Sequence, residues 1–173
     1  FLCHRWMKDF FGESAEKYKY KHTVDALSFI PYGVIVDEFQ HVVYENPDLT
    51  PDERKAEYRK LEKKYRPYLS FEGIPYLELG TRWQYQMHIY ESPFYYIDYC
   101  IAQCVALGFL CISRENFDGA LEKYVEFLKA TGGISLTQLI ENAGLTSPFA
   151  DGALADTARG ASGVIKELET ALA

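Results

Sequence analysis

The sequence lacks most of the signatures of a self-contained catalytic centre. It contains no HExxH and no HxH, so neither compact helical metal signature is present. There is no GxSxG elbow and no glycine-rich phosphate loop, which removes the usual serine-hydrolase and nucleotide readings. No CxxC pair occurs among the four cysteines, Cys3, Cys100, Cys104 and Cys111. The last three recur at i, i+4 and i+11, close to one helical face, where disulfide geometry is rarely met. They read as small buried hydrophobes of a reducing, cytoplasmic compartment, in apolar company that disfavours a thiolate.

Positive charge is scarce too. Eighteen Lys and Arg against twenty-five Asp and Glu give a net charge of −7, the opposite of a nucleic-acid-binding balance. No apolar run approaches the roughly 18 residues of a membrane span. The longest, Cys100 to Ile112, is interrupted by Gln103, so neither nucleic acid nor membrane is an expected partner. Phe1 to Met7 has no signal-peptide layout and reads as the inside of a longer chain. Strand-like alternation, internal repeats and low-complexity tracts are all missing.

What remains is an apolar, aromatic, helical pattern. With 48% hydrophobic and 16% aromatic residues over 173 positions, the chain can bury a core, and the expectation is a single helical domain over residues 1–173. Glu13 to Tyr44 carries a broad stripe (Val24, Leu27, Ile30, Val34, Ile35, Phe39, Val42, Val43), with Pro31 and Gly33 expected to kink or split it and Asn46-Pro47 to stop it. Thr50-Pro51-Asp52-Glu53 predicts a capping box and a helix to about Arg66, burying Tyr58, Leu61 and Tyr65. The opposite face is basic, broken by Glu57 and Glu62, and reads as solvated. Further helices are predicted over Leu77 to Tyr90, from Ser92-Pro93 to about Ser113, from Asp118 to Ala130, from Ser135 to Asn142, and, more weakly because it is rich in Ala and Gly, from Ser147-Pro148 to Leu172. The fold class is all-α, a multi-helix bundle of roughly six to eight helices.

The chemistry-bearing residues concentrate in Gln86 to Tyr99, which packs four tyrosines, a histidine and two carboxylates around a Ser-Pro break. Such groups must find partners if buried. With His88 ending one helix and Tyr95, Tyr96 and Tyr99 spaced along the next, several donors can converge on one oxygen, as an oxyanion requires. A second constellation is Asp37 and His41 at i and i+4, a pairing that fixes an imidazole tautomer. His4 and His22 read as ordinary surface or core residues, and the four histidines are too scattered to form a zinc site.

Four sequence blocks carry a resemblance. Leu27-Ser28-Phe29-Ile30-Pro31-Tyr32-Gly33-Val34 runs on to Asp37-Glu38-Phe39-Gln40-His41 and Tyr44-Glu45-Asn46-Pro47; Leu61 to Tyr65 and the His88 to Tyr99 block follow, with Ser147-Pro148-Phe149 near the end. Over about residues 1–150, in consistent order, these resemble the oligoendopeptidase F branch of the thimet oligopeptidase-like zinc metallopeptidases. The resemblance implies the C-terminal part of a larger helical zincin catalytic domain, acting on short peptides. In that family an HExxH helix and a later glutamate hold zinc, and the HExxH glutamate activates the zinc-bound water. Those elements precede the region matched here, so zinc is implied for the parent enzyme and none for this chain. The resemblance casts His88 and Tyr99 as catalytic oxyanion donors and Tyr95 and Tyr96 as substrate-binding residues, with Tyr95 and Tyr96 interchangeable as the upstream tyrosine. It implies the missing N-terminal part of the domain as a partner, and self-association of the isolated chain. The competing reading is a catalytically inert helical fragment or interaction module with no metal site of its own.

Overall fold

A computed structural model describes residues 1–173, and it is helical throughout, with one isolated bridge, Thr131 to Ile134, and no strand. In chain order the helices are α1 (Met7–Phe11), α2 (Ala15–Glu45), α3 (Pro51–Tyr65), α4 (Pro75–Glu78), α5 (His88–Glu91), α6 (Ile97–Glu115), α7 (Phe117–Ala130), α8 (Leu136–Asn142) and α9 (Ala153–Leu172). Short 3-10 turns cover Leu2–Trp6, Gly12–Ser14 and Arg82–Tyr85. The chain divides into two compact units: Phe1–Leu27 with Ile101–Ala173, and Ser28–Cys100.

Several elements form as the sequence predicts. Thr50 caps α3, accepting from the Glu53 amide while the Glu53 carboxylate takes the Thr50 N–H, and Ser135 with Gln138 does the same for α8. The basic face of α3 is laced by pairs at i, i+3: Lys55 with Asp52 at 2.9 Å and Lys60 with Glu57 at 3.3 Å. A groove of about 670 Å³ over Lys55, Arg59, Lys60 and Lys63 lies on that solvated face and includes none of the nominated site residues.

Five expectations are corrected. First, α2 is not split at Pro31: it is one helix from Ala15 to Glu45. An interior proline costs about 3 kcal/mol. That cost is offset by Ile35, Val36 and Phe39, all fully buried, at about 1.5–3 kcal/mol each. Second, no continuous helix spans Leu77 to Tyr90. Gly80 adopts φ 76°, and a Cβ there would sit 2.2 Å from the Lys55 carbonyl and 2.8 Å from Arg59 Cβ. The chain turns where it closes onto α3, and only glycine fits. Third, Glu62 does not belong to the basic surface. It is 4% exposed and paired with Arg59 at 3.2 Å; burial raises its carboxyl pKa, and Arg59 pulls the other way. Tyr65, expected in the buried row, is only half-buried. Fourth, the last helix opens at Ala153, not at Ser147-Pro148, and runs twenty residues to Leu172 with Ala153, Ala161, Val164 and Leu168 buried. Its Ala and Gly content is packing: a Cβ on Gly160 would meet Cys111 Sγ at 2.5 Å. Fifth, α6 is nineteen residues and, by length and composition alone, long and apolar enough to cross a membrane. It also carries the buried Cys100, Cys104, Leu107, Phe109 and Leu110, as core helices do.

Candidate functional site

The nominated residues lie within Ser28–Cys100, and the local fold that aligns them starts at the Ser-Pro break. Ser92 to Tyr96 is a turn, and α6 begins only at Ile97, so Tyr95 and Tyr96 precede the helix expected to carry them. His88 opens the one-turn helix α5 instead of ending a long one. The rings converge nevertheless, because the amides of Asp98 and Tyr99 donate to the carbonyls of Tyr95 and Tyr96 at 3.1 and 3.2 Å and wind the turn into α6.

Phe94 holds φ 63°, an uncommon value for a residue with a side chain. Gln40 stabilises it from α2. This side chain is 1% exposed, its amide nitrogen donates to the Val36 carbonyl at 3.0 Å, and its oxygen accepts from the Phe94 N–H at 2.8 Å. The Phe94 ring packs on His41 and Tyr44, with centroids 4.9 and 5.0 Å away. His41 sits 3.6 Å from Asp37, whose carboxyl pKa is raised by burial and lowered by the imidazole. The Asp37–His41 helix therefore holds the turn that aims Tyr95, Tyr96 and Tyr99.

Gly33 completes the support. A Cβ there would lie 2.1 Å from Cys100 Sγ and 3.7 Å from the Tyr96 ring, so its absence admits the start of α6 against α2. The Cys100 thiol contacts the Ile30 carbonyl at 3.6 Å.

On this frame, His88 Nε2 lies 3.3 Å from the Tyr99 hydroxyl, with the rings perpendicular. Tyr96 is buried, its ring edge-on to His88 at 5.0 Å, to Tyr99 at 5.3 Å and to Tyr32 at 5.9 Å. Its phenol pKa is raised by burial. Tyr95 packs against Tyr99 at 5.4 Å and is half exposed. All four nominated residues thus meet: Tyr96 as a wall, Tyr95 and Tyr99 facing outward, and His88 joined to Tyr99.

Two further residues join them by hydrogen bonds. Gln86 Nε2 lies 2.8 Å from His88 Nδ1, and the Tyr32 hydroxyl donates to Gln86 Oε1 at 2.7 Å. Arg66 and Arg82 lie over the Tyr32 ring at 5.7 and 5.1 Å. Burial pushes the Tyr32 phenol up to about 12, so it remains a donor at neutral pH. Sequence reasoning gave no role to Tyr32, Gln86 or Gln40. Tyr32 and Gln86 are 54 positions apart, as are Gln40 and Phe94, and no local spacing connects such pairs.

His4 and His22, expected to be unremarkable, form a second network in the other unit, with Nε2 and Nδ1 2.8 Å apart and the His22 ring stacked on Phe1. No group of three or more His, Cys, Asp or Glu side chains is placed to hold a metal ion. The residues present therefore do not form a zinc site by themselves.

No curated protein sequence matches this chain significantly. Solved structures do. A protein described as an oligoendopeptidase F is 48% identical over 94% of this chain, with a TM-score of 0.88. PZ peptidase A, solved with an inhibitor, is 48% identical over 96%, with a TM-score of 0.90. A Bacillus anthracis protein described as an oligoendopeptidase F is 41% identical over 96%, with a TM-score of 0.77. The chain spans 29%, 30% and 26% of those three chains. The sequence profile of peptidase family M3 matches residues 8–159. With a family match over most of its length, and a fold shared with proteins nearly half identical to it, this chain belongs to peptidase family M3, among its oligoendopeptidase F-like members.

Proposed function

We propose that this chain forms the substrate-facing wall of a peptidase acting on short peptides, with His88 and Tyr99 as donors to the tetrahedral oxyanion. The observation that carries this reading is the contact between His88 Nε2 and the Tyr99 hydroxyl at 3.3 Å, on a tyrosine that keeps 39% of its surface exposed. When a scissile carbonyl is attacked, negative charge gathers on its oxygen, and donors already oriented by the fold stabilise that charge without reorganising. Tyr95 and Tyr96 line the approach, Tyr95 as an exposed ring against the peptide and Tyr96 as the buried backing that keeps His88 and Tyr99 edge-on.

Zinc belongs to this reading as a property of the whole peptidase, held by residues outside these 173. Relatives more than three times as long, together with the exposed Trp6, Phe10 and Phe11, support a further segment of the enzyme packing on this chain. A cytoplasmic location is part of the same proposal.

The test uses the whole peptidase. Tyr99→Phe keeps the ring and removes one hydroxyl, and His88→Ala removes the imidazole. Each should lower kcat by on the order of 10²–10³. KM should change far less, because the interaction exists chiefly in the transition state. Zinc content should stay at the wild-type level in both. Turnover within a few-fold of wild type in Tyr99→Phe would remove Tyr99 from the site, and zinc loss in His88→Ala would make His88 a ligand instead.

A further inference from the structure

We infer that Tyr32 and Gln86 are positioning residues that set the tautomer of His88 and, through it, the direction in which the Tyr99 hydroxyl donates; the inference rests on the proposed role of His88 and Tyr99. Four groups from three parts of the chain form one hydrogen-bonded row: Tyr32 hydroxyl to Gln86 Oε1 at 2.7 Å, Gln86 Nε2 to His88 Nδ1 at 2.8 Å, and His88 Nε2 to the Tyr99 hydroxyl at 3.3 Å.

Such a row can run in two directions. In one, Tyr32 donates to the Gln86 carbonyl, and the Gln86 amide donates to Nδ1. Nδ1 is then a lone-pair acceptor, the ring proton sits on Nε2, and Nε2–H donates to the Tyr99 oxygen. Tyr99 is left with its own O–H free to point outward, and the Nε2–H, held by a contact of 3.3 Å, can be shared with a bound oxyanion, so both groups remain donors. In the other direction the Gln86 amide is turned over and donates to the Tyr32 oxygen, Nδ1–H donates to the Gln86 carbonyl, and Nε2 takes the Tyr99 proton. The Tyr99 hydroxyl then points inward and offers a substrate oxygen no donor.

The surroundings of Tyr32 select the first direction. The second requires the Tyr32 proton to find another acceptor; the charged groups over its ring, Arg66 and Arg82, are donors only, and the Tyr96 phenol, whose ring stands edge-on at 5.9 Å, makes no hydrogen bond to it. Arg82 Nε already donates to the Tyr85 hydroxyl at 2.9 Å. The phenol of Tyr32 is also held protonated by burial, so it donates throughout the neutral range. A row of donors running one way polarises each member in turn, so the outermost O–H, on Tyr99, is strengthened as a donor. His88 thereby takes its orientation from an uncharged amide. A carboxylate in the place of Gln86 would accept from Nδ1–H and reverse the row.

The experiment reads the tautomer directly. In the intact protein labelled with [15N]histidine, long-range proton–nitrogen correlations of the His88 ring, recorded where the ring is neutral, should show the proton on Nε2. Gln86→Glu should move it to Nδ1. Tyr32→Phe, which keeps the ring and removes the donor, should let the amide turn and make the Nδ1–H form detectable. In the active peptidase, Gln86→Glu should lower kcat by on the order of 10²–10³, as for loss of one oxyanion donor, with KM within a few-fold, and Gln86→Asn or Gln86→Met should fall less than Gln86→Glu. A wild-type ring protonated at Nδ1, or a Gln86→Glu ring still protonated at Nε2, would overturn the inference. A tautomer that switches while His88→Ala retains normal turnover would uphold the positioning row and defeat the oxyanion role instead.

Discussion

The two compact units solve packing differently. Ser28–Cys100 buries large rings and aliphatics, Phe39, Tyr58, Phe71, Tyr96, Ile35 and Leu61, and it holds three of the four buried polar residues, Gln40, Glu62 and Thr81. Phe1–Leu27 with Ile101–Ala173 holds all six buried alanines and only Thr23 among the buried polar residues. Each unit also contains a glycine facing a cysteine of α6: Gly33 faces Cys100, and Gly160 faces Cys111. Each has a histidine network as well, Gln86–His88–Tyr99 in one and His4–His22 in the other. Buried amides and carboxylates cost stability unless their geometry is met, and when it is met they fix directions that apolar packing cannot. The unit with the buried polar groups is the one that aims side chains at a point, while the alanine-rich unit serves close helix packing.

That contrast predicts where substitutions hurt most. The largest effect is expected at Gly80. Alanine there meets a left-handed backbone, which alone costs about 1–2 kcal/mol, and the Lys55 carbonyl 2.2 Å from its Cβ adds to that. Chemical denaturation should show a lower midpoint, and an unchanged midpoint would mean that the turn onto α3 relaxes freely.

Gln40→Ala comes next. It leaves the Phe94 amide without its partner, a loss of about 1–3 kcal/mol. The release of the turn should also shift the ring resonances of His88 and Tyr99. Loss of stability with those resonances unmoved would separate the buried amide from the aiming of the site.

A smaller, pH-linked effect belongs to the other unit. Burial first, with His22 and Lys19 nearby, holds His4 well below its ordinary value near 6.5. The unfolded chain then takes up a proton before the folded one does. The stability associated with a neutral His4 is complete above about pH 6.5 and declines as the pH falls below it, levelling off once the folded ring is protonated too. His4→Phe should flatten this slope while leaving the Gln86–His88–Tyr99 tautomer unchanged. An unaltered slope would assign the pH dependence elsewhere.

The smallest effect is expected at Gly160→Ala. The Cβ meets the end of the Cys111 side chain at 2.5 Å, and a thiol can swing aside. Relief of glycine in a helix interior returns up to about 1 kcal/mol. The change should be near neutral by thermal melts, and stabilising when made in a Cys111→Ala background. A large loss in that background would place backbone, not sulfur, at the contact.

Much of this protein was legible from its residues. Helix identity, the caps at Thr50 and Ser135, the termini of α7 and α8 and the grouping of His88 with Tyr95, Tyr96 and Tyr99 follow from periodicity, capping chemistry and local spacing, all of which act within a few residues of chain. The family resemblance was legible for the same reason: it is carried by contiguous strings.

The rest was decided in three dimensions. Pro31 stays helical because of what Ile35, Val36 and Phe39 bury. Gly80 breaks the predicted helix because α3 lies against it, and Glu62 turns inward because Arg59 meets it. Tyr32 reaches Gln86, and Gln40 reaches Phe94, across 54 residues each. Local sequence encodes propensities of a kcal/mol or less per residue, whereas burial and the satisfaction of buried polar groups are worth several times that. Where the two disagree the tertiary term wins, and in this chain the supports of the candidate site depend on it.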